Sequence, residues 1–239
     1  MAIRAPMMVE PEAATDVFHA IQRTGNNTAT AVTGVGFAPD LIINKRNDTS
    51  ESSQGEFRDR MRGRAEMLKT DSSAATAHSS ATQDLVSFDM DGMTVGTGAF
   101  SQINYASRQN INLFFKRAKG YMDVVCFNGS SSVQNIQHSL GVVPEMMWVK
   151  NRTGRPSNDG NWQVYHKYNT ATDYMLLNGT NAAGSTTGAW NNTEPTSTVF
   201  TLGTLNWVNV SGEPNIAYLF ATLAGISKVG SYTGNGSSQ

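Results

Sequence analysis

Short segments in which apolar and polar residues alternate recur along the whole chain. The first half contains DLIINKR, LVSFDMDGMTVG and NINLFFKRA, and the second contains EMMWVKNR, NWQVYHKY and NIAYLFATLAG. A period of two places successive side chains on opposite faces of a strand, and the Gly, Asn, Asp and Ser clusters between the segments supply turns. The pattern therefore predicts an all-β protein of short antiparallel strands, about seven or eight in each half.

The second half repeats the first at a spacing of 105 residues. Pro39 and Pro144 are separated by this distance, and so are Asn110 and Asn215. The stretches around them, VGFAPDLIINKR and LGVVPEMMWVKNR, share a Gly, a Pro followed by an acid, and a basic end. An internal period of this length indicates tandem units of one fold. For each unit we expect an antiparallel β-sandwich of jelly-roll type with eight strands.

A third partial copy defines the expected boundaries. AIQRTGNNT, VVCFNGSSS and VGSYTGNGSS each resemble a strand that runs into a polar turn. We therefore predict an extended N-terminal arm at 1–16, one repeat at 17–121 and a second at 122–239. In this interpretation each unit is closed by the strand that begins the next, so the C-terminal KVGSY should be an ordered strand.

The composition narrows the classes of function. Of 239 residues, 39% are apolar and 15% charged, and the formal net charge is −1. Nucleic-acid binding needs a basic face that neutralises phosphates, so we expect no nucleic-acid partner. The single cysteine, Cys126, excludes an internal disulfide and is predicted to be a small buried residue.

No segment predicts export or membrane insertion. The N-terminal stretch lacks the continuous apolar region of a signal peptide. The longest apolar run, IAYLFATLAGI, is shorter than the roughly 18 residues that a membrane span needs. The sequence therefore predicts a soluble protein made in a cytoplasm, without a membrane partner.

Two stretches are candidates for contact with a partner. The first is the Arg-rich RDRMRGR, which is either a solvated surface or a contact for an anionic partner and contains Arg58, Arg60, Arg62 and Arg64. The second is GAWNNTEP, in which an aromatic ring beside amides could stack on a sugar and which contains Trp190, Asn191 and Asn192. Trp148 and Trp162 alternate with polar residues and are predicted to be core.

No motif predicts catalysis, a cofactor or a metal. FDMDGMTVG has Asp89 and Asp91 before Gly92, but it lacks the later ligands of a calcium-binding loop and is typical of a hairpin turn. The four histidines have no metal-ligand spacing. Nucleophile elbows, phosphate loops and dinucleotide fingerprints are missing. We therefore expect a protein that is not an enzyme.

The chain resembles a family of tandem-repeat virion proteins from tailed bacteriophages. The stretches that carry the resemblance are TGVGFAPDLIINKR, FDMDGMTVG, GVVPEMMWVKNR, AWNNTEPTSTVFTLG and KVGSYTGNGSS. The second unit is the more typical, and the first departs from the family at EFRDRMRGRAEMLKT. The resemblance implies a lectin-like or jelly-roll β-sandwich in a structural or adhesion protein of the virion, without catalytic residues.

From this resemblance and the small two-unit architecture we expect a capsid decoration, or cement, protein on the virion surface. Its partners would be the major capsid protein and further copies of itself, most simply in a trimer. The alternative is a carbohydrate-binding adhesion module of a phage tail or head fibre that contacts host-surface glycans. Under the first hypothesis the arm at 1–16 contributes to capsid binding.

Overall fold

A computed structural model describes residues 8–46, 55–78, 82–98, 103–154 and 160–236. The prediction of an all-β chain in two tandem antiparallel units is confirmed. Beside the strands, the described residues contain a 3-10 turn, η1 (Ala14–Asp16), and one short helix, α1 (Thr187–Trp190). In this part of the chain, no helix combines the length and the hydropathy that crossing a membrane requires.

The first unit comprises nine strands in the described residues. They are β1 (Phe18–Thr24), β2 (Thr30–Val32), β3 (Leu41–Arg46), β4 (Glu56–Asp59), β5 (Glu66–Lys69), β6 (Ala77–His78), β7 (Leu85–Asp89), β8 (Gly92–Val95) and β9 (Gln109–Phe115). A six-stranded sheet has the order β1-β9-β3-β4-β5-β6, and a three-stranded sheet has the order β2-β8-β7.

The second unit repeats this arrangement with eight strands. They are β10 (Met122–Asn128), β11 (Gln134–Gln137), β12 (Met146–Asn151), β13 (Gln163–His166), β14 (Asp173–Leu176), β15 (Gly184–Ser185), β16 (Val199–Leu202) and β17 (Pro214–Phe220). Their large sheet has the order β10-β17-β12-β13-β14-β15, and β11 pairs with β16. Each unit thus has one large and one small antiparallel sheet, as a β-sandwich requires.

Three apolar clusters show how these sheets are layered. One lies between the two sheets of the first unit and includes Ile42 and Phe114. A second lies within the second unit around Trp190 and Phe200. The third joins side chains of both six-stranded sheets, among them Phe57 and Tyr218. The large sheets therefore pack against each other in the middle, and we call this contact the junction face.

The predicted C-terminal strand is not formed, so that prediction was wrong. The turn after β17, with a bridge between Leu223 and Ser227, repeats the turn after β9. Beyond it residues 230–236 are exposed and carry no strand. The physical reason is pairing, because β1 and β10 each pair with the last strand of their own unit. The described chain offers no third last strand to KVGSY.

The environment of Cys126 also differs from the prediction. The residue lies in β10, the edge strand of its sheet, and is exposed rather than buried. An edge strand has a neighbour on one side only, so part of it remains open to solvent even where its first residues are buried.

A buried asparagine organises the same end of each unit. Asn104 donates to the carbonyls of Thr28 and Gly96 at 2.8 and 2.6 Å. Asn209, 105 positions later, donates to the carbonyls of Ser132 and Gly203 at 2.6 and 2.5 Å. Both side chains are fully buried. Each amide therefore ties the loop after the first strand to the segment that leads into the last strand.

We predict that Asn209→Ala lowers the free energy of unfolding by about 3 kcal/mol. The reason is that the substitution leaves buried carbonyl and amide groups without partners, among them the Ser130 N–H that donates to Asn209 Oδ1 at 2.7 Å. Urea unfolding monitored by circular dichroism measures the change. The matched control is Asn128→Ala, an exposed position expected to cost less than about 0.5 kcal/mol. Equal costs for the two variants would contradict this role.

Candidate interaction sites

The tryptophan proposed for glycan contact lies in the core. Trp190 ends α1, is 1% exposed and packs edge-on against Tyr165. Its indole N–H donates to the Asp173 carbonyl at 3.0 Å. Asn191 and Asn192 follow it in the left-handed region, with φ of 55° and 46°, and are exposed. In this conformation the ring is not accessible to a sugar, and the exposed part of the loop is made of amides.

Of the four candidate arginines, Arg58 and Arg62 have buried side chains and do not contribute to a basic surface. Arg58 is fully buried in β4, where Nη2 lies 3.1 Å from the Glu56 carboxylate. Its Nη1 donates to the carbonyl of Arg64 at 3.4 Å, and Arg64 itself is half-buried. Arg60 is exposed and donates two hydrogen bonds to the Pro39 carbonyl. The arginines described here thus make their contacts within the protein.

Arg62 belongs to a polar group that connects the two units. Its Nε lies 2.5 Å from Asp59 Oδ2, and its Nη2 donates to Tyr218 Oη at 3.2 Å. Tyr218 in turn donates to Asp59 Oδ2 at 2.7 Å. Burial raises the pKa of Tyr218 well above its ordinary value, so the phenol stays protonated as a donor. The Arg-rich departure of the first unit therefore supplies inter-unit contacts.

The acidic hairpin forms the predicted turn. β7 and β8 pair with Asp89 opposite Gly92, whose φ is 133°. The Asp91 carboxylate accepts from the N–H groups of Gly34 and Gly36 at 3.0 and 2.6 Å. These hydrogen bonds, first that from Gly34, lower the pKa of Asp91. Within the described ranges, no three His, Cys, Asp or Glu side chains lie close enough to hold a metal ion.

The N-terminal segment, residues 8–17, lies over a cavity of about 610 Å³. The Val9 carbonyl accepts from Lys119 N–H at 3.3 Å, and Asp16 accepts from the N–H groups of Glu12 and Ala13. The charged residues that line the cavity are Glu10, Glu12, Asp16, Asp40, Lys116 and Arg117. Residues 1–7 of the predicted arm lie outside the described residues. The cavity offers both signs of charge to a polar ligand or to a chain segment.

A buried lysine occupies a cage of carbonyl oxygens at the junction face. Lys150 Nζ lies 3.2 Å from the carbonyl oxygen of Ser73 and 3.1 Å from that of Ala74, both in the first unit. It also donates to the carbonyls of Asn151 and Gly160 at 2.9 and 2.7 Å. Burial lowers its pKa to about 8. Because its carbonyl acceptors come from both units, the buried ammonium joins the first unit to the second.

Sequence reasoning missed four of these groups: the buried Asn104 and Asn209, which we call the asparagine hubs, the Asp59–Arg62–Tyr218 contact and the Lys150 cage. The 105-residue spacing of Asn104 and Asn209 was a usable signal for the hubs. The equivalent of Lys150 is Lys45, which is exposed. The repeat alone therefore gave no sign of the cage.

The fold and these sites define a class, namely a tandem-repeat β-sandwich-like protein whose most elaborate polar contacts lie inside it. Residues 13–122 and residues 112–239 each match a domain of unknown function (DUF7483). The chain therefore belongs to this family and contains two copies of its domain. No curated protein and no solved structure matched the chain.

We predict that Lys150 makes stability depend on alkaline pH. With a pKa near 8 in the native state and about 10.4 in the unfolded chain, the unfolded chain binds more protons between these values. The contribution of Lys150 to the free energy of unfolding should therefore rise with pH across this window. The total rise is about 3 kcal/mol.

Comparison with Lys150→Met isolates this effect, because every other titrating group is shared. Urea unfolding of both proteins at pH 7, 8, 9 and 10 measures it. The free energy of unfolding of the wild type should increase relative to that of Lys150→Met as the pH increases. A difference that stays constant from pH 7 to 10 would contradict the lowered pKa.

Proposed function

We propose that this protein is a virion structural protein of a tailed bacteriophage, and specifically a head decoration protein that binds the assembled capsid shell. The observation that carries the proposal is the N-terminal segment, which runs along the surface of a compact two-unit body instead of joining a sheet. Surface segments of this kind serve well as docking elements, because they can contact a partner without disturbing a core. The phage resemblance of the repeat sequences supports the same assignment.

The body has the properties that reinforcement of a shell requires. Its two large sheets are held together by buried aromatic rings and by the cross-unit contacts of Arg62 and Lys150. Regions with many buried contacts resist local opening. A protein that binds assembled shell, and not free subunits, stabilises the shell by mass action. The partners in this proposal are the major capsid protein and further copies of this chain in a symmetric oligomer.

The adhesion alternative included Trp190 as a ring that could stack on a sugar. Trp190 is buried, so it does not support that alternative. We therefore carry the capsid proposal forward.

The first test is the copy number of this protein in purified particles. A decoration protein follows the capsid lattice, so its ratio to the major capsid protein should be near one or another simple fraction set by that lattice. Quantitative mass spectrometry of purified virions measures the ratio, with a tail protein in the same sample as the low-copy standard. A ratio equal to that of the tail protein, or absence from particles, would refute the proposal.

A second test removes residues 1–16. Val17, which is buried in the junction face, and all strands are retained, so the unfolding temperature should change little. Binding to capsids that lack the protein should weaken at least about tenfold, because the docking segment is lost. The control removes residues 230–239, of which 230–236 are exposed and without strand structure. If the two truncations bind equally, the segment has no docking role.

A further inference from the structure

The turns that precede β1 and β10 are equivalent parts of the two units. β1 begins opposite Phe115, and β10 begins opposite Phe220, 105 positions later. Asp16 and Gly120 therefore correspond to each other, because each lies two residues before its strand. A comparison of these two turns shows what the cavity beside the N-terminal segment can hold.

The second unit holds this turn against a neighbouring loop by a hydrogen bond that the first unit replaces. In the second unit the Gly120 N–H donates to the Leu140 carbonyl at 2.8 Å. In the first unit the Asp16 N–H donates to the Ala13 carbonyl, within its own turn, at 3.1 Å. The cavity of about 610 Å³ is lined by both parts of the first unit, the turn at Asp16 and the loop at Gly36. It therefore lies where the second unit has a direct contact.

A lysine side chain occupies the corresponding position in the second unit. A Cβ added to Gly141 would come within 2.9 Å of both Cγ and Cε of Lys119, so the alkyl stem of this lysine lies directly over the glycine. Gly36 is 105 positions earlier, and a Cβ added there would meet no heavy atom of the described residues within 4 Å. The two glycines share a left-handed φ, of 77° and 85°. The backbone is thus alike, and the second unit shows that an alkyl chain ending in an ammonium fits over it.

The lining of the cavity carries the charge that an ammonium requires. Its charged residues comprise four acids and two bases, namely Glu10, Glu12, Asp16, Asp40, Lys116 and Arg117. Arg117 Nη2 lies 2.6 Å from Asp123 Oδ1, outside this set, and Asp40 lies 3.6 Å from Arg60 Nε. With these two pairs set aside, three acids remain beside one base, Lys116. All three acids belong to the N-terminal segment and are exposed.

We propose that this cavity binds a lysine side chain that a partner presents on an extended chain segment. The alkyl stem lies over Gly36, as that of Lys119 lies over Gly141, and the ammonium reaches the carboxylates of the N-terminal segment. The volume falls in the range of about 300–1,000 Å³ that is typical of ligand sites, so the lysine can enter with adjoining backbone. The proposal goes beyond capsid binding, because it concerns the protein free in solution. Its failure would leave the virion copy number unaffected.

NMR titration of the ¹⁵N-labelled full chain with three peptides tests the site. The peptides are GSKSG, capped at both ends, and the same peptide with norleucine or glutamate in place of the lysine. The lysine peptide should shift the amide signals of Asp16, Gly36 and Ala118 with a Kd of about 1 mM or below. The norleucine peptide keeps the alkyl stem without the charge, so it should bind at least about threefold more weakly, and the glutamate peptide should not bind.

The same titration contains the results that would overturn the proposal. Equal affinity for the lysine and norleucine peptides would show an apolar groove without recognition of charge. Preference for the glutamate peptide would show an anion site, and unchanged signals with all three peptides would show that the cavity takes no such segment.

Charge variants check that the carboxylates recognise the ammonium. Glu10→Gln/Glu12→Gln should weaken binding of the lysine peptide at least about threefold, because the ammonium loses two carboxylates. Lys116→Gln should strengthen it, because a base that repels the ammonium is removed. The control, Asp71→Asn, removes an exposed acid that does not line the cavity and should leave the affinity unchanged. All four positions are exposed, so melting temperatures should match the wild type. An unchanged affinity in the glutamine double variant would also overturn the proposal.

Discussion

The packing of the two six-stranded sheets against each other is the interaction on which the rest of the structure depends. Phe57 of the first unit lies at its centre, with ring centroids 5.0, 5.3 and 5.8 Å from those of Trp162, Tyr218 and Trp148 of the second. Each large sheet is therefore covered on both faces, by its own small sheet on one side and by the other unit on the opposite side. Burial of this aromatic surface provides a non-directional driving force that makes the tandem units one body.

Polar groups within the junction face add direction to this apolar contact. Asp59, Arg62 and Tyr218 hydrogen-bond to one another across the units, and Lys150 Nζ donates to carbonyls of both. A buried charge is tolerated only where its partners are in place, so these groups disfavour other relative positions of the sheets. They also remove charge from the surface.

The two units share a backbone arrangement and differ in the side chains that form their cores. The Gly96 N–H donates to the Asp84 carbonyl as the Gly203 N–H does to that of Ala189, which makes Leu85 and Trp190 equivalent positions. Both side chains are buried, but the second unit uses a much larger one. The asparagine hubs hold equivalent loops in the two units, while the core side chains and the outer loops differ between the units. This divergence leaves Val142 exposed in the second unit, whereas its equivalent in the first unit, Phe37, is buried.

The sequence by itself determined the all-β class, the two units and the hairpin at Asp91, because period-two alternation, a 105-residue repeat and turn residues are local signals. Tertiary structure decided the rest. The burial of Trp190 and Arg62 depends on which faces meet, and alternation cannot say which face a second unit will cover. The C-terminal KVGSY has the pattern of β1 and β10, yet it remains unpaired because a strand requires a partner as well as a pattern. The exposure of Val142, at a position where Phe37 is buried, likewise follows from packing that the repeat does not encode.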